Sequence, residues 1–338
     1  MVRAGSFTLQ EISAGIAQGQ WGIVLGAAGS GKTTLLETIA GVRAVKSGRV
    51  LLRGVDSTRT VPELRRVGMV YQQGFLFPHL SVRDNARYGT RDHRRADALL
   101  ERFGGGALVD RAVTALSGGE RQVVALVRSL ARQPDILLLD EPFSALDPRG
   151  RAMVRRELRA LQRAEGTTVL QVTHDFAEAG TLGDLALLMD AGRLVQVAPP
   201  EELFRRPATA AAAEFLGAEN VYAGVVSASS DGSGSWRFEA GGIALVAVGD
   251  SAEGPAHAVI RSEDVSIALG RGGQSSVRNV LDGVVREIAP LGAIAKVAVD
   301  VEGVTVVASV TLGAVRELGI AVGRAVVVSV KATAVHLC

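Results

Sequence analysis

The sequence has a single cysteine, few aromatic residues and no long apolar run. Because Cys338 is the only cysteine among 338 residues, an intrachain disulfide is excluded, and the chain suits a reducing cytosol. Apolar runs such as residues 136–139 and 243–248 are far shorter than the ~20 residues that a membrane-spanning helix needs. We therefore expect any contact with a membrane to go through a partner protein.

The chain also lacks an excess of charge of either sign. It carries 37 lysines and arginines against 35 aspartates and glutamates, a net charge of +2, so no strong field favours nucleic acid, and we expect no such partner. Arginines are frequent between residues 149 and 163, but acidic residues interleave with them. That pattern favours a solvated helix face over a nucleic-acid surface.

Residues 1–217 alternate short apolar strands with amphipathic helices, which is typical of an α/β domain with a mainly parallel sheet. The helix that follows the first buried strand is expected to end at Gly41, a C-cap position. Three buried strands and this helix are predicted at residues 21–26, 135–140, 167–173 and 33–40.

From residue 218 to 338 the pattern changes to short valine-rich runs with Gly and Ser breaks, which predicts an all-β domain. Asn220-Val-Tyr-Ala-Gly-Val-Val recurs as Asn279-Val-Leu-Asp-Gly-Val-Val, so we predict two related β lobes, about 218–269 and 276–338, joined by a Gly/Ser-rich linker at 270–276. The alternative is that valine-rich strands resemble one another by chance.

A phosphate-binding loop is predicted between the first buried strand and its helix. Gly26-Ala-Ala-Gly-Ser-Gly-Lys-Thr fits the pattern G-x-x-x-x-G-K-[ST]. Glycines let the backbone aim successive N–H groups at an anion, and the helix N-terminus adds partial positive charge. Lys32 would reach the β- and γ-phosphates of ATP, and the Thr33 hydroxyl would hold Mg²⁺. The predicted ATP-binding residues are Gly26, Ala27, Ala28, Gly29, Ser30, Gly31, Lys32, Thr33 and Thr34.

Two adjacent carboxylates end the apolar run at residues 136–139. Asp140 is predicted to hold the Mg²⁺ shell, and Glu141 to polarise an attacking water. The alternative, a buried strand that merely ends in two solvated acids, is common for such a motif alone. It weakens greatly with a phosphate loop upstream.

Between these motifs lies Leu116-Ser-Gly-Gly-Glu, which resembles the signature sequence of ATP-binding-cassette (ABC) ATPases, although the family usually has Gln where this chain has Glu120. Three further matches occur, and all lie in the order along the chain that the family has. Gln72 resembles the glutamine loop, Asp147 the D-loop aspartate and His174 the switch histidine. The resemblance implies a P-loop cassette domain (1–217), with a helical subdomain at about 73–120.

The resemblance also implies a mechanism and partners. Glu141, His174, Lys32 and Gln72 would be catalytic, and Thr33, Gln72 and Asp140 would bind Mg²⁺. Two chains would form a head-to-tail homodimer in which the signature acts in trans through Ser117, Gly118, Gly119 and Glu120. The dimer would work peripherally at the cytoplasmic face of the cell membrane, with two permease subunits and, indirectly, an extracytoplasmic substrate-binding protein.

Two features depart from the family pattern. The family places an aromatic residue before the first strand to stack on adenine, but here Phe7 is interpreted as a core residue and no aromatic residue precedes it. The segment between Gln72 and Ser117 is also short, and three glycines at residues 104–106 interrupt it.

The end of the chain is similar to a molybdate-binding β-barrel module of the TOBE/MOP type, so the second domain is predicted to be an OB-like barrel. The resemblance lies in Ser276-Val-Arg-Asn and in the closing strand Val330-Lys-Ala-Thr-Ala-Val-His. Molybdate and tungstate have only acceptor oxygens, so a site for them needs donors. The predicted oxyanion residues are Ser276, Arg278, Asn279, Lys331, Ala332 and Thr333. The alternative is that they merely close a barrel.

The sequence therefore predicts the ATPase subunit of an oxyanion importer, most simply of molybdate or tungstate, with feedback by cytoplasmic oxyanion as a further possibility. Importers of sulfate, ferric iron or polyamines remain alternatives of the same class. A soluble cassette ATPase acting on DNA or ribosomes is disfavoured by the single cassette and the appended β domain. A non-catalytic oxyanion sensor is disfavoured by the intact Lys32, Asp140, Glu141 and His174.

Overall fold

The structure is a computed structural model and describes residues 1–5, 7–229, 234–272 and 275–338. The chain forms two compact units, Met1–Glu201 and Glu202–Cys338. The domain boundary at residue 217 stays a prediction, and the predicted linker includes residues 273 and 274, which lie outside the described residues. Among the described residues, no helix is both long enough and apolar enough to cross a membrane.

The first unit is built on a six-stranded sheet in the order β10-β9-β3-β8-β7-β6, parallel except for β10. Two small hairpins, β1–β2 and β4–β5, accompany it. Its strands are β1 (Val2–Ala4), β2 (Phe7–Leu9), β3 (Trp21–Leu25), β4 (Leu51–Leu52), β5 (Val55–Asp56), β6 (Val67–Val70), β7 (Ile136–Asp140), β8 (Thr168–Val172), β9 (Leu185–Asp190) and β10 (Arg193–Ala198). Its helices are α1 (Lys32–Ala40), α2 (Val82–Arg87), α3 (His93–Arg102), α4 (Gly118–Ala131), α5 (Pro148–Glu165) and α6 (Phe176–Leu182).

The three buried strands and the first helix confirm the sequence prediction to within a residue or two. Strands β3, β7 and β8 are buried at nearly every position, because helices cover both faces of a parallel sheet, and they therefore read as continuous apolar runs. Helix α1 ends at Gly41, whose φ of 85° is a left-handed conformation that favours glycine.

Local capping explains where the other long helices begin and end. Ser117 and Glu120 form a capping box at the start of α4. The Asp147 side chain accepts from the first backbone amides of α5, Pro148 occupies the first helical position, and Gly166 ends the helix. Between residues 73 and 120, the segment predicted to be a helical subdomain contains α2, α3 and two short 3-10 turns, Gly106–Leu108 and Val113–Ala115.

The register of the sheet aligns the strand ends that carry the predicted chemistry. Val24 of β3 and Asp140 of β7 both pair with Val172 of β8. The phosphate loop, Glu141 and the Thr173–His174 dipeptide therefore leave neighbouring strands at the same carboxyl edge, where ligands bind in open α/β sheets.

The second unit holds two five-stranded antiparallel sheets, β13-β12-β11-β14-β20 and β15-β19-β16-β17-β18, which confirms the predicted β character. Helix α7 (Pro200–Arg205) contains the division between the units, and α8 (Ala210–Phe215) follows it. The remaining elements are β11 (Asn220–Ala228), β12 (Trp236–Ala240), β13 (Ile243–Ala247), β14 (Gly254–Ile260), β15 (Ser266–Ala268), β16 (Asn279–Leu291), β17 (Ile294–Val301), β18 (Val304–Thr311), α9 (Leu312–Glu317), β19 (Ala325–Val330) and β20 (His336–Leu337).

The two predicted lobes exchange their last strands. Strand β15, at the end of the first lobe, pairs with β19, so that Ser266 lies opposite Ser329. Strand β20, at the end of the second lobe, pairs with β14, so that His336 lies opposite Val259. One apolar core contains buried residues of both lobes, and the lobes are therefore intertwined parts of one unit.

The repeated asparagines join the lobes in the same reciprocal way. The Asn220 amide oxygen accepts from the Val307 N–H at 2.7 Å, and its amide nitrogen donates to the Val307 carbonyl at 2.9 Å. Asn279 makes the equivalent pair with the N–H (2.6 Å) and carbonyl (2.9 Å) of Val246. Each asparagine satisfies the backbone of an edge strand, β18 or β13, of the other lobe.

Candidate nucleotide site

The phosphate loop has a backbone that favours glycine, and at two of its glycines the surrounding atoms also leave no room for a side chain. Gly26 (φ 155°) and Gly31 (φ 99°) both lie in the left-handed half of conformational space. A Cβ on Gly26 would lie 2.3 Å from the Met189 carbonyl oxygen, and one on Gly31 would lie 2.7 Å from the Phe7 ring. At Gly29, in contrast, the space around a Cβ is open. The loop is thus packed on the protein side and accessible on the other.

The Phe7 ring packs against the core beneath this loop, as predicted, and no aromatic residue precedes it in the chain. The start of α1 has no side-chain cap. Its first amides therefore point outward as the donors that an anion can use.

Lys32 lies folded into the loop. Its ammonium group donates to the carbonyl oxygens of Gly26 and Ala27, each at 2.8 Å. Burial lowers the pKa of Lys32, while the carboxylates of Glu141 and Asp140 act in the opposite direction. A phosphate group would offer this partly desolvated cation a charged acceptor in place of two neutral carbonyls.

Thr33 and Asp140, two of the predicted magnesium ligands, are in direct contact. The Thr33 hydroxyl donates to the Asp140 carboxylate at 2.8 Å. Burial raises the pKa of Asp140 above its usual range, so an added divalent cation would favour the ionised form. A hydroxyl, a carboxylate and the nearby Gln72 amide are all oxygen ligands of the kind that Mg²⁺ takes, and these residues fit the ion.

Glu141 is the centre of a three-residue contact. Its carboxylate lies 3.0 Å from Nδ1 of His174 and accepts from Nε2 of Gln72 at 3.2 Å. Its backbone N–H donates to the Val172 carbonyl, and its φ of 45° is an uncommon conformation for a residue with a side chain. The turn after β7 thus holds the carboxylate between two polar side chains that the sequence predicts to be catalytic.

The predicted signature and D-loop also lie together. A Cβ on Gly119 would be 2.9 Å from the Ala145 carbonyl oxygen, so the start of α4 packs closely on the predicted D-loop, residues 144–147. A cavity of about 390 Å³ lies between them, and Ser117, Gly118, Glu120 and Asp147 are among its lining residues. Their action in trans on a second chain stays a prediction.

Comparison with known proteins identifies the family. An ABC transporter family model matches residues 9–144, and a TOBE domain model matches residues 275–337. The molybdate/tungstate import ATP-binding protein WtpC of Pyrococcus horikoshii is 38% identical over 98% of this chain and 96% of its own length. The chain belongs to the ABC transporter ATPases. The predicted fold class and ATPase activity are thereby confirmed.

Other relatives of this ABC ATPase cover less of the chain. The sulfate/thiosulfate import ATP-binding protein CysA 2 of Chromobacterium violaceum is 44% identical over 64% of this chain and 62% of its own length. A solved dimeric ATP-binding cassette in a post-hydrolysis state, bound to ADP and Pi, has a TM-score of 0.53 and 27% identity, and the match covers 57% of this chain and 90% of that one.

Sequence reasoning about the ABC ATPase missed a pair of buried polar residues that lie close to His174 in the chain. Gln171 of β8 and Glu178 of α6 are 0% and 3% exposed and hydrogen-bond one another. The available signal was Gln171 itself, a polar residue between the apolar Leu170 and Val172 of a buried strand.

In the TOBE region, the pairing of Asn279 with Val330 brings the first strand and the closing turn of the second lobe together. Ser276, Arg278, Lys331 and Thr333 are exposed there, and Ala332 is largely buried. Asn279 differs from these residues because it is 2% exposed and both polar atoms of its amide bond Val246. An oxyanion site at these residues stays a prediction.

Proposed function

We propose that this ABC ATPase is the energy-supplying subunit of an importer for molybdate or tungstate, and that it works as a homodimer on the cytoplasmic face of two membrane permease subunits. The observation that carries the substrate class is the similarity to a molybdate/tungstate import protein along 98% of the chain, which includes the second unit as well as the cassette. The TOBE match at residues 275–337 supports the same class.

Within the site, the residues divide the work of hydrolysis. The phosphate loop and the N-terminus of α1 bind and orient the phosphates of ATP, with Lys32 moving from its loop carbonyls to a phosphate oxygen. Mg²⁺, held by Thr33, Asp140 and Gln72, would neutralise charge that develops on the phosphoryl oxygens. Glu141 accepts the proton of the attacking water, and His174 holds the Glu141 carboxylate in place.

The dimer supplies the remaining donors. Ser117, at the N-terminus of α4, would face the γ-phosphate bound by the partner chain, where the helix end favours negative charge. Gln72 contacts Glu141 and directly precedes the predicted helical subdomain. We propose that Gln72 and this subdomain meet the permease and couple hydrolysis to transport. An extracytoplasmic binding protein would deliver the solute to the permease.

A sulfate importer is the second candidate, because the sulfate/thiosulfate relative has the higher identity, 44%, although over only 64% of the chain. Sulfate and molybdate are both tetrahedral dianions, and the cassette does not distinguish them. The second unit is the part of the chain that can.

Calorimetric titration of the full chain with molybdate, tungstate and sulfate tests the proposal. We expect saturable binding of molybdate or tungstate but not of sulfate, lost in Lys331→Ala and kept in Lys46→Ala, which removes an exposed lysine of the first unit. Preferential binding of sulfate would transfer the proposal to the sulfate class. Binding of none of the three would contradict an oxyanion site in the second unit, and with it the proposed feedback.

A further inference from the structure

A buried chain of polar side chains connects the strand before the phosphate loop to the helix after His174. The Trp21 indole N–H donates to the Gln171 amide oxygen at 3.1 Å, and the Gln171 amide nitrogen donates to the Glu178 carboxylate at 2.7 Å. Trp21 and Gln171 are 0% exposed and Glu178 is 3% exposed. Strand β3, strand β8 and helix α6 are therefore joined by side chains that water does not reach.

The Glu178 carboxylate also closes a loop around His174. The Thr173 hydroxyl acts to lower the pKa of this carboxyl, against the larger effect of burial, and it accepts from the backbone N–H of Asp175 at 3.0 Å. Asp175 in turn caps α6 by accepting from the amides of Ala177 and Glu178. The residues on both sides of His174 thus interact with Glu178: Thr173 with its carboxyl group and Asp175 with its backbone N–H.

His174 itself has little packing that could hold it. Its side chain is 71% exposed, and its Nδ1 contacts the Glu141 carboxylate. Few neighbouring side chains hold the His174 ring, so its position depends mainly on the backbone that carries it. The placement of residues 173–175 therefore determines where the ring meets Glu141.

Burial of the Glu178 carboxylate costs folding free energy. Burial raises the pKa of the Glu178 carboxyl, and its nearest cation, Arg155, is 3.9 Å away, beyond hydrogen-bond distance. An apolar side chain of similar volume commonly stabilises a core as well as a buried ion pair does. Stability alone therefore does not account for an acid at this position.

We propose that Glu178 is a positioning residue for ATP hydrolysis: through Thr173 and Gln171 it fixes the loop that carries His174 against Glu141. The inference rests on the proposed role of His174. Glu178 does not touch the nucleotide site, so its loss should lower kcat while the phosphate loop keeps its affinity for ATP.

A double-mutant cycle on the full chain tests this inference. By single-turnover ATP hydrolysis, we expect Glu178→Ala to lower the rate by about 10- to 100-fold, the size of effect that small misplacements produce, with KM for ATP within about 2-fold. In the His174→Ala background, Glu178→Ala should change the rate by less than about 2-fold, since residues that act through one another are not additive. The same fold-loss in both backgrounds would overturn the inference.

Two further measurements separate positioning from folding. Gln162→Ala is the matched control: it removes buried hydrogen bonds to the carbonyls of Gly19 and Thr167 at the other end of β8, so it should lower Tm with little change in kcat. If Glu178→Ala does not fold, Thr173→Val should show the same non-additive loss, and Thr173→Ser should restore turnover. An unchanged rate in His174→Ala alone would instead contradict the proposed role of His174.

Discussion

The two units use strand-end polar residues in different ways. In the first unit, Thr33 contacts Asp140 and Glu141 contacts His174 at one edge of a sheet, and these are the pairs that the proposed mechanism uses. In the second unit, Asn279 is bonded by its amide to the backbone of Val246 and joins two lobes. Short motifs at the ends of parallel strands therefore bring the predicted residues into contact with one another, whereas a suitable residue type at a single strand end does not predict such contacts.

Glu141→Gln is the sharpest test of the catalytic side of this comparison. The amide keeps the shape of the carboxylate between His174 and Gln72 but cannot accept a proton from water. We expect ATP binding to be retained and hydrolysis to fall by ~10²–10⁴-fold, the usual contribution of a positioned general base. Equilibrium nucleotide binding and phosphate release measure the two quantities.

Glu63→Gln provides the control, because Glu63 lies exposed on a single 3-10 turn and should leave both quantities unchanged. Normal turnover in Glu141→Gln would remove Glu141 from its proposed role. It would also mean that contacts between polar residues at this sheet edge do not indicate a catalytic site, just as those of Asn279 in the second unit do not.

Removal of either interlobe asparagine tests the structural side. Asn220→Ala and Asn279→Ala each leave the N–H and carbonyl of an edge-strand valine unpaired, at positions where the asparagine is 0% or 2% exposed. We expect each variant to lose about 2–3 kcal/mol of unfolding free energy in urea, the usual cost of unsatisfied buried groups. Arg278→Ala, beside Asn279 but exposed, should lose less than about 0.5 kcal/mol.

The pair of variants can also break the comparison. Because Asn220 also donates to the Ile260 carbonyl and accepts from the Tyr222 hydroxyl, its removal should cost at least as much unfolding free energy as that of Asn279. If Asn279→Ala unfolds like the wild type but no longer binds molybdate, then Asn279 is a ligand residue, and the second unit uses its strand ends as the first unit does.

Sequence reasoning succeeded where the determinants are local. Strand β3, the glycine loop and helix α1 form one continuous segment whose pattern contains both the backbone conformation and the anion-binding groups. It did not anticipate the exchange of β15 and β20 or the bonds from Asn220 to Val307, because these pair residues 60 or more positions apart that no shared pattern relates. Glu178 was missed for a different reason: it lies only seven positions from Gln171, but the two side chains meet only when α6 packs on β8.

His336 offers the smallest effect and tests how the exchanged strand β20 is held. Its Nε2 lies 2.9 Å from the Pro207 carbonyl oxygen, and burial is the main cause that lowers the pKa of this imidazole, with the Pro207 bond acting in the opposite direction. The folded chain therefore takes up this proton at a lower pH than the unfolded chain, whose histidine titrates near about 6.5. Stability from this group is complete above that pH and is lost as the pH falls through about 6.5 towards the lower folded value.

Urea unfolding of the wild type and of His336→Gln should run parallel above about pH 7 and diverge below it, with the wild type losing stability faster. Parallel curves down to pH 5 would show that the bond to Pro207 does not depend on a neutral imidazole, and that the packing of β20 on β14 holds the exchanged strand by itself.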